Sequence, residues 1–285
     1  MSRSQGPTPA AAFDLRDFTR TARGSHRNRL DLASYAARPL DGDTLNLVRL
    51  LARLERGALS QLRSVLVTPT HSDARMTAFL VTWAYEKFWL ADALEAISEA
   101  HPAPTATMPT PPLARRLRHA GQALGVRLEP IRESVGSNLI GEDVVAVHCL
   151  AGTLDEWLVQ AAYQRLAETT SHNDLARTLD ELREVKRRHL EFFESQAGQR
   201  LAASPSAARL ARRRLPRTGF PLGSSEEPPE ALARLLDGLL TAADLRAIDR
   251  RLDSYPGLAG LGLATAAGAR AARRPDSPSK GDLRP

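Results

Sequence analysis

An all-α fold is predicted by three features of this 285-residue sequence. Four long segments repeat apolar residues at intervals of three and four, which is the spacing of one face of a helix. No convincing segment alternates apolar and polar residues as a half-buried strand does. Five of the twelve residues at 101–112 are proline, so no helix crosses that stretch. We therefore expect helices joined by loops of unequal length.

The first helical pair follows an N-terminal arm. Residues 1–42 contain scattered proline and glycine, and their apolar residues show weak periodicity, which favours an extended arm that lies on the surface of a core. The first long helix is predicted from about Asp43, a suitable N-cap, to Leu66, and the second from about Ser72 to Glu99. The apolar stripes are Val48, Leu51, Leu59 and Leu62 on the first helix, and Phe79, Trp83, Leu90, Ala93 and Ile97 on the second.

The second pair follows a long crossover at about 100–141, in which a weaker helix is predicted at 113–124. The third long helix is predicted at about 142–168 and the fourth at about 171–201. Their stripes are Val145, Cys149, Val159, Tyr163 and Leu166, then Leu175, Leu179, Leu182, His189 and Phe193. Short loops within each pair predict antiparallel neighbours, so residues 43–201 are expected to form a four-helix bundle with one long crossover.

The amino-acid composition changes after the fourth helix, where prolines become frequent. A C-terminal extension at 202–256 is predicted to contain short helices at about 205–215, 230–240 and 242–252. The composition of the remainder, rich in Ala, Arg, Pro and Ser, predicts a disordered tail at 257–285.

Ionisable residues interrupt the apolar stripe of every long helix. They are, in order along the four helices, Glu55, Glu86, Glu156, and the pair Lys186 and His189. Burying a charge is costly, so such positions are informative. Glu55 and Glu86 are 31 residues apart, and Glu156 and Lys186 are 30 residues apart. Two helical hairpins of similar length would therefore place all four residues at one level of the bundle. We expect a metal or charge cluster at that level.

Over residues 43–201 the chain resembles the ferritin-like proteins with a carboxylate-bridged diiron centre. That family uses a Glu on helices 1 and 3 and Glu-x-x-His on helices 2 and 4. The resemblance implies that Glu55, Glu86, Glu156 and His189 are retained ligand positions. Helix 2 reads Glu86-Lys87-Phe88-Trp89 and helix 4 reads Lys186-Arg187-Arg188-His189, so Trp89 replaces a histidine and Lys186 replaces a bridging glutamate.

Two hypotheses for the site follow from these departures. In the first, Lys186 pairs with Glu55, Glu86 or both, no cofactor is bound, and the protein acts in ligand binding or as a scaffold. In the second, Glu86, Glu156 and His189 hold one Fe or Mn ion, and the protein is an oxidoreductase acting on a small organic substrate. Three glutamates against one lysine leave an excess of negative charge in either case. Whether the chain is an enzyme stays open at this point.

Four further residues are candidates for lining a pocket in the bundle for a small apolar ligand: Trp83, Trp89, Cys149 and Tyr163. Trp89 is expected to fill the volume of the lost histidine, and Cys149 to be a buried, inert thiol. His148 is expected to face away from Glu156.

The charge balance allows further partners. Net charge is +6, and an acid-free stretch carries the basic patch Arg209, Arg212, Arg213, Arg214 and Arg217. This patch is expected to be a solvated helix face, with docking on an acidic partner as the alternative. Nucleic acid is not expected because no aromatic interleaving accompanies the arginines. The absence of a long apolar run argues against a membrane span, and the single cysteine fits the cytoplasm. A homodimer is a further expectation.

Overall fold

The computed structural model describes residues 13–101 and 141–273, apart from the side chain of Ser225. Within these ranges all regular structure is helical, which confirms the predicted all-α class. The α-helices are α1 Leu15–Arg20, α2 Leu32–Ala37, α3 Gly42–Arg56, α4 Ala58–Leu66, α5 Ala74–Glu99, α6 Asp143–Thr169, α7 Asn173–Ala203, α8 Pro205–Arg214, α9 Pro229–Ala233, α10 Ala242–Asp253 and α11 Leu263–Ala272. A π-helical stretch, Arg234–Leu239, continues α9. The predicted helix at 113–124 and most of the crossover lie outside the described residues.

The prediction of one helix over residues 43–66 is wrong, because the helix is interrupted at Gly57. Glycine weakens a helix interior, and here it ends α3 and begins α4. The predicted N-cap is wrong as well: the carboxylate of Asp41, two residues earlier, accepts the backbone N–H groups of Asp43 and Thr44. Leu59, just after this break, is 42% exposed instead of buried on the stripe.

The other three long helices begin and end within two residues of the prediction. Asp73 caps α5 by accepting the N–H of Met76. Ser171 and Asn173 are the residue types that usually cap a helix, but the N-cap of α7 is His172, whose Nδ1 accepts the N–H of Leu175. An imidazole nitrogen is an uncommon cap acceptor, which explains why sequence preference points to its neighbours.

The long helices form two antiparallel pairs, α3 with α5 and α6 with α7. Gln160 bonds to the carbonyl of Lys186 and Trp157 bonds to Glu194, so the helix positions run in opposite directions. The two pairs pack against each other along a shared apolar core. At one end of this core, Phe79 stacks on Phe192 with ring centroids 3.7 Å apart.

The described part of the N-terminal arm lies against this core. Helix α1 buries Phe18, which stacks on Phe79 at 5.2 Å between centroids. Helix α2 buries Tyr35, which stacks on His172 at 4.5 Å. Between them, the backbone N–H of Arg23 reaches the carboxylate of Glu86 on α5. The arm therefore covers polar as well as apolar groups of the core.

The prediction of a disordered tail is wrong for residues 257–273. Leu258 is fully buried and α11 packs Leu263 and Ala264 into the core. The carboxylate of Asp249 on α10 accepts the N–H groups of Ala264 and Thr265, which satisfies the first turn of α11. Small apolar residues and a distant capping side chain therefore order this segment. Residues 274–285 lie outside the described ranges.

Candidate functional site

The five ionisable residues that interrupt the helix stripes lie together in the interior. Glu55 comes from α3, Glu86 from α5, Glu156 from α6, and Lys186 and His189 from α7. Each of the five is fully buried. We call these residues, together with Lys87, Asp155 and Arg188 described below, the core ionic cluster.

Lys186 is held between two carboxylates from different helices. Its Nζ lies 2.8 Å from Oε1 of Glu55 and 3.0 Å from Oε2 of Glu156. These contacts are ion pairs by distance, although their angles fall outside hydrogen-bond geometry. The hydroxyl of Tyr163 donates to Glu55 at 3.2 Å, so this carboxylate receives a neutral donor as well.

A second lysine, Lys87, enters the cluster from α5. Its Nζ lies 3.1 Å from Glu55, 3.5 Å from Asp155 and 3.7 Å from Glu156. The other oxygen of Asp155 accepts the N–H of Leu222, which ties the C-terminal extension to the cluster. Sequence reasoning missed both residues. The available signal was position, because Lys87 lies four residues after the buried Trp83 and Asp155 lies four before Val159.

Glu86 and His189 form the other half of the cluster. Oε2 of Glu86 lies 2.7 Å from Nε2 of His189. Oε1 of Glu86 accepts the backbone N–H of Arg23 at 2.6 Å and also the guanidinium of Arg188. The expectation that Lys186 pairs with Glu55, Glu86 or both is therefore met by Glu55 alone. Lys186 and His189 are almost one turn apart on α7, and both lie within 3.7 Å of Glu156, so this carboxylate joins the two halves of the cluster.

The electrostatics explain why these groups can stay charged in the interior. Burial would raise the pKa of Glu55, but Lys186 and Lys87 more than offset it and lower that pKa below its usual value. The same balance holds the pKa of Glu156 well below its usual range. Burial would lower the pKa of Lys87, yet the facing carboxylates raise it. For Asp155 burial dominates, and its pKa is raised.

The structure keeps an excess of negative charge, but counted without the imidazole it is one formal charge in place of the expected two. Four carboxylates face three cations and one imidazole. The carboxylates belong to Glu55, Glu86, Asp155 and Glu156, and the cations to Lys87, Lys186 and Arg188. The prediction counted Lys186 as the one cation of the cluster. Lys87 and Arg188 were left out because they were treated only as neighbours of motif positions.

The arrangement does not fit the metal ions that the family resemblance implies. Nε2 of His189 faces Glu86, while Nδ1 of the same ring lies 3.7 Å from Glu156. One imidazole binds an ion through one nitrogen, so the three candidate ligands do not converge on one point. Within residues 13–101 and 141–273, no group of three or more His, Cys, Asp or Glu residues is placed to hold a metal ion.

A cavity that the described residues enclose beside Trp83 is too small for the expected apolar ligand. A cavity of about 20 Å³ lies between Trp83, Gly152, His148 and Phe193. That space holds about one water molecule. Gly152 is required there, because a Cβ at this position would lie 2.6 Å from the Phe193 ring.

Of the predicted pocket-lining residues, Trp83 lines this cavity and Trp89, Cys149 and Tyr163 do not. Trp89 is half-buried, packed edge-on against Phe88 with ring centroids 5.1 Å apart, so it does not fill the core. Cys149 is fully buried beside Met76, and burial raises the pKa of its thiol to about 12. A thiol with that pKa is not a nucleophile at neutral pH.

His148 lies outside the core ionic cluster. Its Nδ1 is 2.9 Å from the hydroxyl of Thr70. Burial and the charge of Arg214 lower the pKa of His148 to about 4, so the imidazole is neutral at neutral pH.

The arginines of the basic patch differ in their contacts and in their exposure. Arg212 donates to the carbonyls of Gly257 and Ala259 and thereby fastens the segment before α11. Arg217 bonds to the carbonyl of Arg213, and Arg214 is half-buried. Arg209 is exposed on the surface of α8. Part of this patch is therefore structural.

No known family model, curated protein or solved structure matches this chain. None of the described helices is long and apolar enough to cross a membrane. The fold and the cluster define the class of the protein only as far as an all-α chain with charged residues paired in its interior.

Proposed function

We propose that the chain is a metal-free, ferritin-like helical protein that works by binding or scaffolding. The order of its long helices, with a long connection between two antiparallel pairs, supports this proposal. So do Glu55, Glu86, Glu156 and His189, which occupy the positions of family ligands. In this proposal, lysine ammonium groups supply the positive charge that metal ions would otherwise bring.

The observation that carries the proposal is the position of Lys186. Its ammonium group lies within 3.0 Å of carboxylates from α3 and α6 and is fully buried. Two unit charges 4 Å apart repel by about 4 kcal/mol at an effective dielectric constant of ~20, and a divalent ion doubles that cost. A metal ion bridging Glu55 and Glu156 would have to displace this lysine.

The one-metal oxidoreductase has weaker support. Its three ligands would be Glu86, Glu156 and His189, but the imidazole lies between the two carboxylates. Glu86 also receives Arg188 and the N–H of Arg23, so its oxygens are already used. We therefore assign no catalytic step to this cluster.

Elemental analysis tests the proposal. The protein is produced with added iron and manganese, desalted, and measured for bound metal. We expect far less than one equivalent of either metal. About one equivalent that is lost in His189→Ala and kept in His148→Ala would overturn the metal-free proposal, since His148 is a histidine outside the cluster.

A further inference from the structure

A cleft of about 180 Å³ lies between the N-terminal arm and α7. A water molecule takes up ~30 Å³ in the liquid, so the cleft has room for a ligand of several heavy atoms. Its walls are basic on the arm side and mixed on the helix side. The lining residues used below are Arg23, His26, Arg29, Glu181, Glu184 and Arg188.

The charges in this cleft are only partly compensated. Arg188 pairs with Glu86, and Glu184 pairs with Arg187. In the part of the chain that the structure describes, no ion pair engages the guanidinium of Arg23 or Arg29. Glu181 is the remaining acid, so two free positive charges face one free negative charge. This imbalance favours an anion.

His26 lines the same cleft on the side of the arm. Its side chain is 5% exposed, and Nε2 is buried without a hydrogen-bond partner among the described residues. Leaving a buried polar atom unsatisfied costs about 1–3 kcal/mol. The position of the segment is nevertheless held, because Arg23 donates its backbone N–H to Glu86 three residues earlier. Because Nε2 is covered from solvent, an oxygen in the cleft would reach it only after the imidazole turns.

We infer that this cleft binds a small oxyanion, a carboxylate or a phosphate, between the guanidinium groups of Arg23 and Arg29, with His26 in the wall beside them. Planar guanidinium groups match both kinds of anion through paired N–H donors. The inference rests on the binding role proposed above and names the chemistry of the ligand. Glu181 opposes the anion from α7 and limits how much negative charge the cleft accepts.

The floor of the cleft joins the core ionic cluster through Glu86. That carboxylate accepts both the N–H of Arg23 and the guanidinium of Arg188, and its other oxygen meets His189. The part of the arm that would hold the anion is thus tied to α5 and α7 by protein contacts. Ligand that binds only the folded state raises stability by mass action, so a rise in melting temperature with anion concentration is a second readout.

Calorimetric titration with inorganic phosphate and, separately, with succinate at fixed ionic strength tests the inference. We expect saturable binding of at least one of them; tighter phosphate binding assigns a phosphate ligand and tighter succinate binding a carboxylate. Arg29→Gln should weaken binding about tenfold, since a charge-assisted hydrogen bond contributes roughly 1.5–3 kcal/mol. Arg246→Gln is the matched control because Arg246 is an exposed arginine on α10, away from the cleft.

Glu181→Gln removes the opposing charge and should tighten binding severalfold, an effect that misfolding cannot produce. Absence of binding for both anions at millimolar concentration, or equal weakening by Arg29→Gln and Arg246→Gln, would overturn the inference. Elemental analysis decides the metal-free proposal by itself, so its failure is distinguishable from failure of the anion inference.

Discussion

The core ionic cluster and the surface cleft both contain charged residues, but the charges are paired in the cluster and largely unpaired in the cleft. In the cluster, Lys186 and Lys87 each face carboxylates from other helices at 2.8–3.7 Å. In the cleft, Arg23 and Arg29 face solvent and a single free acid, Glu181. The difference teaches that pairing, and not the presence of charge, separates a structural ionic group from one available to a ligand.

The two regions should also differ in energy. Removing one partner of a buried ion pair leaves a charge without compensation and is costly. An exposed charge without a partner contributes little to folding. Substitutions in the cluster should therefore change stability, and substitutions in the cleft should change binding.

Lys186→Ala is expected to have the largest effect. It leaves Glu55 and Glu156 buried without their shortest cationic contacts, so the free energy of unfolding should fall by about 3–5 kcal/mol. Urea denaturation followed by circular dichroism measures this loss. Arg246→Ala serves as the exposed control, and an equal loss in both variants would remove the distinction between the regions.

Lys87→Met should cost somewhat less, about 3 kcal/mol, because methionine keeps the apolar length of the side chain. The double variant Lys87→Met with Asp155→Asn should recover part of that loss, since one of the three carboxylates that Lys87 faces is then neutral. Denaturation of the two single variants and the double variant gives the coupling energy. Strictly additive losses would show that this pair does not interact.

The dependence of stability on pH should reflect both signs of charge in the cluster. The pKa values of Glu55 and Glu156 are lowered by the lysines, so the stability they give is present above the usual glutamate pKa and is lost as pH falls through the folded values. The pKa of Lys87 is raised, so its contribution is complete below its usual pKa and is lost as pH rises above it.

Urea midpoints across the pH range check this expectation. Wild type should show a plateau with losses at both extremes, and Glu55→Gln should lose less than wild type on the acid side. The same acid slope in both proteins would contradict the proposed pairing of Glu55.

The smallest effect on stability is expected in the cleft. Arg29→Gln should change the free energy of unfolding by no more than about 0.5 kcal/mol, as is usual for an exposed position without a partner. A thermal melt in buffer without phosphate or carboxylates measures it. A loss comparable to that of Lys87→Met would mean that Arg29 has a structural role.

The interior positions were accessible from the sequence because a helical stripe makes a charged interruption visible. Glu55, Glu86, Glu156, Lys186 and His189 were all placed in the core on that basis. The compensating charges Lys87 and Asp155 were missed because each lies beside a family ligand position and was treated as its neighbour.

Other features depend on contacts between distant parts of the chain. The cleft unites the arm with α7, and Arg188 reaches Thr21 across 167 positions. The first turn of α11 is capped by the carboxylate of Asp249, which lies 15 residues before its partner Ala264. Local periodicity carries no signal for such pairings.

The chain has three lysines, Lys87, Lys186 and Lys280, which makes their ammonium groups individually observable. Nitrogen-15 labelling of lysine side chains, with Lys87→Met and Lys186→Ala for assignment, tests most directly whether the interior is neutralised by lysine. At pH 7 we expect Lys87 and Lys186 each to give a charged ammonium signal that is protected from solvent exchange. A neutral amine at Lys186, or rapid exchange of both signals, would contradict the account.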